Sequence, residues 1–182
     1  MKILIPLIFG LWFLCGGLSA QSVSSGGLNV GDAAPDFALP YATRDSVAED
    51  SLRLSSFIGK KNVILAFFPA DWSGGCTKEM CTMRDNFEAL SKLDAELLPI
   101  SGDYEYAHHA WAKEMGFPFK LVSDHLHNVA RQYQSYNEGY GWNKRTVYLV
   151  DKSGKIAYID PKYVARDPNS FAKLQDALKQ LK

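Results

Sequence analysis

Six consecutive apolar residues, Val63-Ile64-Leu65-Ala66-Phe67-Phe68, run up to Pro69. The run is too short for a buried helix and rich in β-branched and aromatic side chains. It therefore predicts a strand covered on both faces, which only a sheet with layers above and below provides. Downstream, Cys76 to Leu93 carries Met80, Met83, Phe87 and Leu90 at the spacing of an amphipathic helix. Further strands are expected at 97–100, 119–122, 146–150 and 156–159, and a short edge strand over Asp36–Leu39 before Pro40. Helices are expected at 106–115, stopped by Gly116, at 128–133 and at 169–181. The last has Phe171, Leu174, Leu178 and Leu181 on one face and Asn169 or Ser170 as its cap. Strands alternate with helices until Asp151-Lys152-Ser153-Gly154 turns the last two strands into a hairpin. That order predicts an α/β chain, a mixed central sheet flanked by helices on both faces, in one domain of ordinary size for 182 residues.

The first twenty residues read differently. Met1-Lys2, an apolar run from Ile3 to Leu18 and then Ser19-Ala20-Gln21 have the form of a secretory signal peptide, 1–20, cleaved after Ala20. The run falls short of the ~20 residues of a spanning helix, which argues against an anchor. Phe13-Leu14 stand before Cys15 where lipid attachment wants a small residue. The expectation is a periplasmic or secreted protein without stable membrane association after cleavage. Residues 21–27 are a Ser/Gly lead-in and 28–182 the folded domain. Cleavage leaves Cys76 and Cys81, in a compartment where a disulfide persists. Lys+Arg and Asp+Glu number 20 each, so the basic excess that binds nucleic acid is missing.

The stretch that carries chemistry is Pro69-Ala70-Asp71-Trp72-Ser73-Gly74-Gly75-Cys76-Thr77-Lys78-Glu79-Met80-Cys81, between the buried strand and the amphipathic helix. Cys76 is placed in the first helical turn behind a Gly-Gly loop, where free N–H groups and the dipole favour thiolate over thiol. A small buried hydrophobe, the ordinary fate of a free cysteine, fits that position poorly. The Ser73 hydroxyl can turn back toward the sulfur and orient an oxygen substrate. Pro69 lacks an N–H and shapes the pocket. Glu79 either holds a pocket residue or simply favours the helix start.

Pro69-x-x-x-Ser73-x-x-Cys76 resembles the active-site motif of the peroxiredoxins, the alkyl hydroperoxide reductase/thiol-specific antioxidant family. The resemblance extends through Phe67-Phe68, Glu79, Arg84-Asp85, Ser123-Asp124, Arg145 to Asp151 and Ser153-Gly154-Lys155, over roughly residues 28 to 165. It implies a thioredoxin fold with an N-terminal extension and reduction of hydroperoxides without metal or organic cofactor. By position it implies Cys76 as the peroxidatic cysteine, oxidised to sulfenic acid, and Ser73 in the place of the usual Thr or Ser. Arg145 then stands beside the sulfur, favouring the thiolate and steadying charge on the peroxide oxygen. The Cys76-x4-Cys81 spacing resembles the bacterioferritin-comigratory-protein subgroup, in which the second cysteine resolves the first. An intact helix separates such Cα atoms by roughly 8.6 Å, against the ~7 Å limit for a disulfide. The first turns must therefore unwind if Cys81 is to resolve Cys76. Residues 137–145 look more like the one-cysteine relatives, in which Cys81 would be a spectator. An external thiol reductant, thioredoxin-like or small, and a second copy in a homodimer are the implied partners.

Two other readings compete. A thioredoxin-type thiol–disulfide oxidoreductase wants Cys-x-x-Cys and a proline where Arg145-Thr146 stand. An exported copper chaperone would draw on His108-His109 and His125-x-His127, which the pattern puts on a solvated helix and near a turn. Trp72, Trp111 and Trp142 are expected in the core, Lys60-Lys61 in a solvated turn, and Asp103 and Glu105 without an obvious partner for acid–base work.

Overall fold

The computed structural model describes residues 27–181. The predicted signal peptide and lead-in residues 21–26 lie outside the described residues. Ten strands and five helices follow in chain order. Strands β1 (Ala38–Leu39), β2 (Tyr41–Ala42) and β3 (Leu52–Arg53) lead through a 3-10 turn at Leu54–Ser56 into β4 (Asn62–Phe67). Helices α1 (Gly74–Asp85) and α2 (Phe87–Lys92) come next, then β5 (Ala95–Ser101), α3 (Glu105–Met115), β6 (Leu121–Ser123) and α4 (Asn128–Gln132). A small hairpin of β7 (Tyr136–Asn137) and β8 (Trp142–Asn143) precedes β9 (Thr146–Val150), β10 (Ile156–Asp160) and α5 (Pro168–Lys179).

The main sheet has the order β10-β9-β4-β5-β6-β2. β4, β5 and β6 run parallel, while β9 is antiparallel to β4, β10 to β9 and β2 to β6. Every residue of β4 is buried, as its unbroken apolar run requires. Its side chains alternate between two cores: Ile64, Ala66 and Phe68 join one with Met80, Met83, Trp111, Leu174 and Leu178. Val63, Leu65 and Phe67 join the other with Phe37, Leu54, Val129 and Tyr133. Helices α1, α2, α3 and α5 thus cover one face, and α4 with the N-terminal extension covers the other.

Four local expectations are corrected. The helix predicted from Cys76 to Leu93 is broken at Asn86, whose Nδ2 donates to the Thr82 carbonyl at 2.8 Å and competes with the helical ladder. Gly74-Gly75 form the first residues of α1 rather than a loop before it. Only Ala38–Leu39 of the predicted edge strand pairs, with β3 in a separate small sheet. β2 is the main sheet's edge instead. The last helix is capped by Asp167, whose Oδ1 accepts from Asn169 N–H at 3.0 Å, with Pro168 in its first turn. Ser170 is buried and uses its hydroxyl to accept from Val164 N–H.

Sheet order decides what meets at one edge. Parallel β4, β5 and β6 end together, so the β4–α1 loop, the segment after Ser101 and Asp124 after Ser123 share the carboxyl end of the sheet. Because β9 runs antiparallel against β4, Thr146 pairs with Phe67. That pairing carries Arg145 to the same edge, next to the start of α1, across 69 residues of sequence.

Candidate active site

Ser73 is the N-cap of α1, in extended conformation (φ −68°, ψ 142°), and its carbonyl accepts Thr77 N–H at 2.8 Å. Its Oγ accepts the Cys76 N–H at 3.4 Å, a long bond, and does so without using its own hydrogen. The hydroxyl therefore faces the backbone of Cys76, where the sequence reading turned it toward the sulfur. Cys76 occupies the third position of the helix, where amides are free and the dipole is positive. The residue is fully buried. Pro69 is half-buried, two residues beyond the end of β4.

Arg145 joins two groups on α1. Its Nη2 lies 3.4 Å from Cys76 Sγ and its Nη1 donates to Glu79 Oε2. Cys76 and Glu79 stand three residues apart, neighbours on one helix face, so a single guanidinium reaches both. The fork is geometrically suited to this and a lysine is not. Glu79 is wholly buried, and its Oε1 has no partner. Burial lifts its pKa to about 7 against the pull of Arg145. Arg145 itself is held more firmly charged, with Glu79 and Cys76 outweighing its own desolvation. A Cβ at position 75 would stand 3.1 Å from Arg145 Nη2, whereas one at 74 meets nothing. A side chain at 75 would thus press on the guanidinium and ask it to shift by a few tenths of an ångström from its place beside the sulfur.

The structure also brings in residues that sequence reasoning set aside. His108, expected on a solvated helix face, is fully buried, with Nδ1 2.9 Å from Asp71 Oδ2. Asp103, expected to have no acid–base partner, has a structural place: it accepts Asp71 N–H at 2.9 Å and Ser101 Oγ–H at 2.8 Å. Burial pushes the Asp71 carboxyl up, with His108 pulling it back. Trp72 and Trp142, expected in the core, are half-exposed, while Trp111 is buried as expected. Trp72 has φ 61°, strained for a bulky side chain at a cost of about 1–3 kcal/mol. Tyr163, unforeseen, donates its N–H to the Arg145 carbonyl at 3.1 Å. His109, His125 and His127 bond to Thr43, Gly102 and Asn143 respectively. Among the described residues no histidine hydrogen-bonds to Cys76, and each of the three bonds to another group instead. An amphipathic pattern cannot show that His108 faces inward; the signal available was its i+3 spacing to Trp111.

Cys76 and Cys81 are free thiols on one unbroken helix, and Cys81 is partly buried against the core. At ideal helical rise their Cα atoms stand roughly 8.6 Å apart, beyond disulfide reach.

Comparison with known proteins gives a consistent picture. The model of the AhpC/TSA family matches residues 30–159. A putative peroxiredoxin bcp of Coxiella burnetii is 37% identical over 141 residues, 74% of this chain and 89% of that protein. The chloroplastic peroxiredoxin Q of Triticum aestivum is 35% identical over 142 residues, 78% of this chain. The chain spans 63% of the length of that wheat relative. Among solved structures, peroxidoxin BcpB of Mycobacterium tuberculosis superposes with a TM-score of 0.74 at 26% identity, covering 85% of this chain and 99% of that one. The fold is therefore the thioredoxin fold that the sequence resemblance implied.

Two outcomes follow from the geometry. Gly75→Ala is expected to slow oxidation of Cys76 by hydrogen peroxide by about tenfold or more, while Gly74→Ala leaves it unchanged, as thiol loss in stopped flow will report. Glu79 binds a proton in the folded state between pH 4.5 and about 7 that the unfolded chain has already released. Its contribution to stability is thus lost as pH rises through that window, up to about 3 kcal/mol. Melting curves from pH 5 to 8 are expected to fall by several degrees less in Glu79→Gln than in the wild type; equal slopes would refute the assignment.

Proposed function

The chain belongs to the AhpC/TSA family, and from that premise we propose that it is a thiol-dependent peroxidase whose reacting group is Cys76. The observation that carries this reading is the placement of one buried thiol against both the free amides of a helix start and a guanidinium 3.4 Å away. A hydroperoxide entering at this position meets the sulfur with cationic and N–H donors around it. The Cys76 sulfur attacks the terminal peroxide oxygen; the O–O bond breaks and an S–O bond forms. The other oxygen leaves as water or alcohol after taking up a proton. Arg145 steadies the charge that develops on the departing oxygen, and preorganised donors of this kind lower such barriers by several kcal/mol. Glu79 orients Arg145, Ser73 sets the helix start, and Pro69 shapes the approach without offering a competing N–H. The product is the sulfenic acid of Cys76.

Cys81 then resolves it. Its thiol condenses with the sulfenic acid to a disulfide with loss of water, once the first turns of α1 open and close the Cα gap. A dithiol partner or two small thiols reduce that disulfide by exchange and are themselves oxidised. The match to the bcp relative supports this assignment, and within the intact helix the two cysteines stand too far apart to pair. The chemistry uses no metal or organic cofactor. The apolar start of the sequence supports export to the periplasm or medium, and pairing of two copies is the coarse arrangement we infer for the enzyme in solution.

Treating reduced protein with one equivalent of hydrogen peroxide is expected to consume thiol far faster than free cysteine and to lower the intact mass by two hydrogens. Cys76→Ser abolishes the reaction, and Cys81→Ser retains it with a gain of oxygen instead. Gain of oxygen by the wild type would demote Cys81 to a spectator, and slow loss would overturn the peroxidase itself. Amino-terminal sequencing of the exported protein is expected to begin at Gln21; a chain still starting at Met1 would refute cleavage.

A further inference from the structure

The loop that delivers Cys76 is tied to the body of the protein through Asp71. The Asp71 side chain is 2% exposed. His108 Nδ1 lies 2.9 and 3.1 Å from its two carboxylate oxygens, and His108 Nε2 lies 3.3 Å from the Val122 carbonyl. Both ring nitrogens face acceptors, so the ring is fixed between α3's neighbour β6 and the loop. The main chain of Asp71 is fixed as well: its N–H donates to Asp103 and its carbonyl accepts Ser73 N–H at 2.7 Å. Ser73 in turn caps the helix at Cys76. Between them stands Trp72 at φ 61°, a conformation that relaxes unless its flanks are held. A continuous series of hydrogen bonds thus runs from α3 through His108, Asp71 and Ser73 to Cys76, and the Asp71–His108 pair itself makes no hydrogen bond to the sulfur.

We propose that Asp71 and His108 are positioning residues forming a latch, which sets how much of the time Cys76 lies closed against Arg145 and how much it is open. This deepens, and rests on, the reading of Cys76 as the peroxide-reacting thiol. In the closed loop the thiol is fully buried beside Arg145, so a bulky reagent is excluded, while a peroxide small enough to enter on a slight opening meets the guanidinium there. In the open loop the order reverses. Loss of the latch therefore moves the two reactivities in opposite directions.

The test uses the Cys81→Ser background, so that Cys76 is the single thiol of the mature chain and the role of Cys81 plays no part. Oxidation by hydrogen peroxide and alkylation by a bulky maleimide are timed in the parent and in Asp71→Ala, His108→Phe and Asp71→Asn. Leu178→Ala, fully buried on α5, serves as a variant destabilised far from the loop. Asp71→Ala and His108→Phe are expected to raise alkylation and lower peroxide oxidation, each by about tenfold. Asp71→Asn, which keeps an acceptor for His108 Nδ1–H, should recover part of both. Leu178→Ala should leave the ratio of the two rates where it is. Unchanged ratios in the latch variants, or an equal change in Leu178→Ala, would overturn the proposal. If the parent reacts with peroxide no faster than free cysteine, the peroxidase reading fails, and the alkylation rates still judge the latch. Should the latch variants not fold, amide exchange of the parent decides: residues 73–77 opening together below the global unfolding free energy supports the latch, and exchange only by global unfolding overturns it.

Discussion

The site depends on one guanidinium held between two residues of a single helix. Placing Glu79 and Arg145 away from water carries a desolvation penalty that their attraction alone does not reliably offset. The pair persists because its geometry is over-determined: β9 fixes one end, α1 the other, and Gly75 leaves room between them. The second fork nitrogen of Arg145 then reaches Cys76 at no further cost in ordering. A buried carboxylate with one oxygen unpartnered is thus explained by what it positions rather than by what it stabilises.

The rest of the architecture follows from bringing those two elements together. Neither α1 nor Arg145 is near the other in sequence, and only antiparallel pairing of β9 beside β4 makes them neighbours. The same sheet edge collects Asp71, Asp103 and Asp124. Asp124 accepts Ala130 N–H at 2.7 Å and Val129 N–H at 3.3 Å, closing the start of α4, so its place in the family resemblance is structural. Asp103 does comparable work for the loop that carries Trp72 and Ser73. Carboxylates gathered at the ends of parallel strands serve here mainly to satisfy amides in the turns.

Much of this was legible in the sequence, for physical reasons. Residues 146–150 are a strand with the bounds expected, because an unbroken β-branched and aromatic run leaves no other element. Cys76 lands in the first turn of a helix, as its place between the buried strand and the amphipathic run leads one to expect, although the cap at Ser73 emerges only from the structure. What remained hidden depends on side chains meeting across the fold. The helix break at Asn86 turns on one amide choosing a carbonyl over solvent. His108 looks like any polar residue of an amphipathic helix until β6 and the active-site loop are seen to close over it. Trp72 was misplaced because aromatic residues usually fill cores, and its left-handed backbone turns it half outward instead. The pairing of Glu79 with Arg145 spans 66 residues, and no local pattern encodes it.

If Cys81 resolves Cys76 as proposed, the helix start around the sulfur is what must be given up. Opening residues 74–77 breaks the Thr77 N–H bond to Ser73 and the long cap bond to Cys76, and withdraws the sulfur from Arg145. These are few bonds, all at a helix end, where amides have least to lose on exposure to water. The opposing terms are burial of Cys76 in the core and the hold of Asp71 on the loop. Oxidation alters the first of these directly, since a sulfenic oxygen is larger and more polar than a thiol in a close-packed site. The second is untouched by oxidation and remains a fixed resistance. On the proposed reading of Cys81, a loop strained at Trp72 and fastened at Asp71 would hold while the sulfur is reduced and give way once it is oxidised.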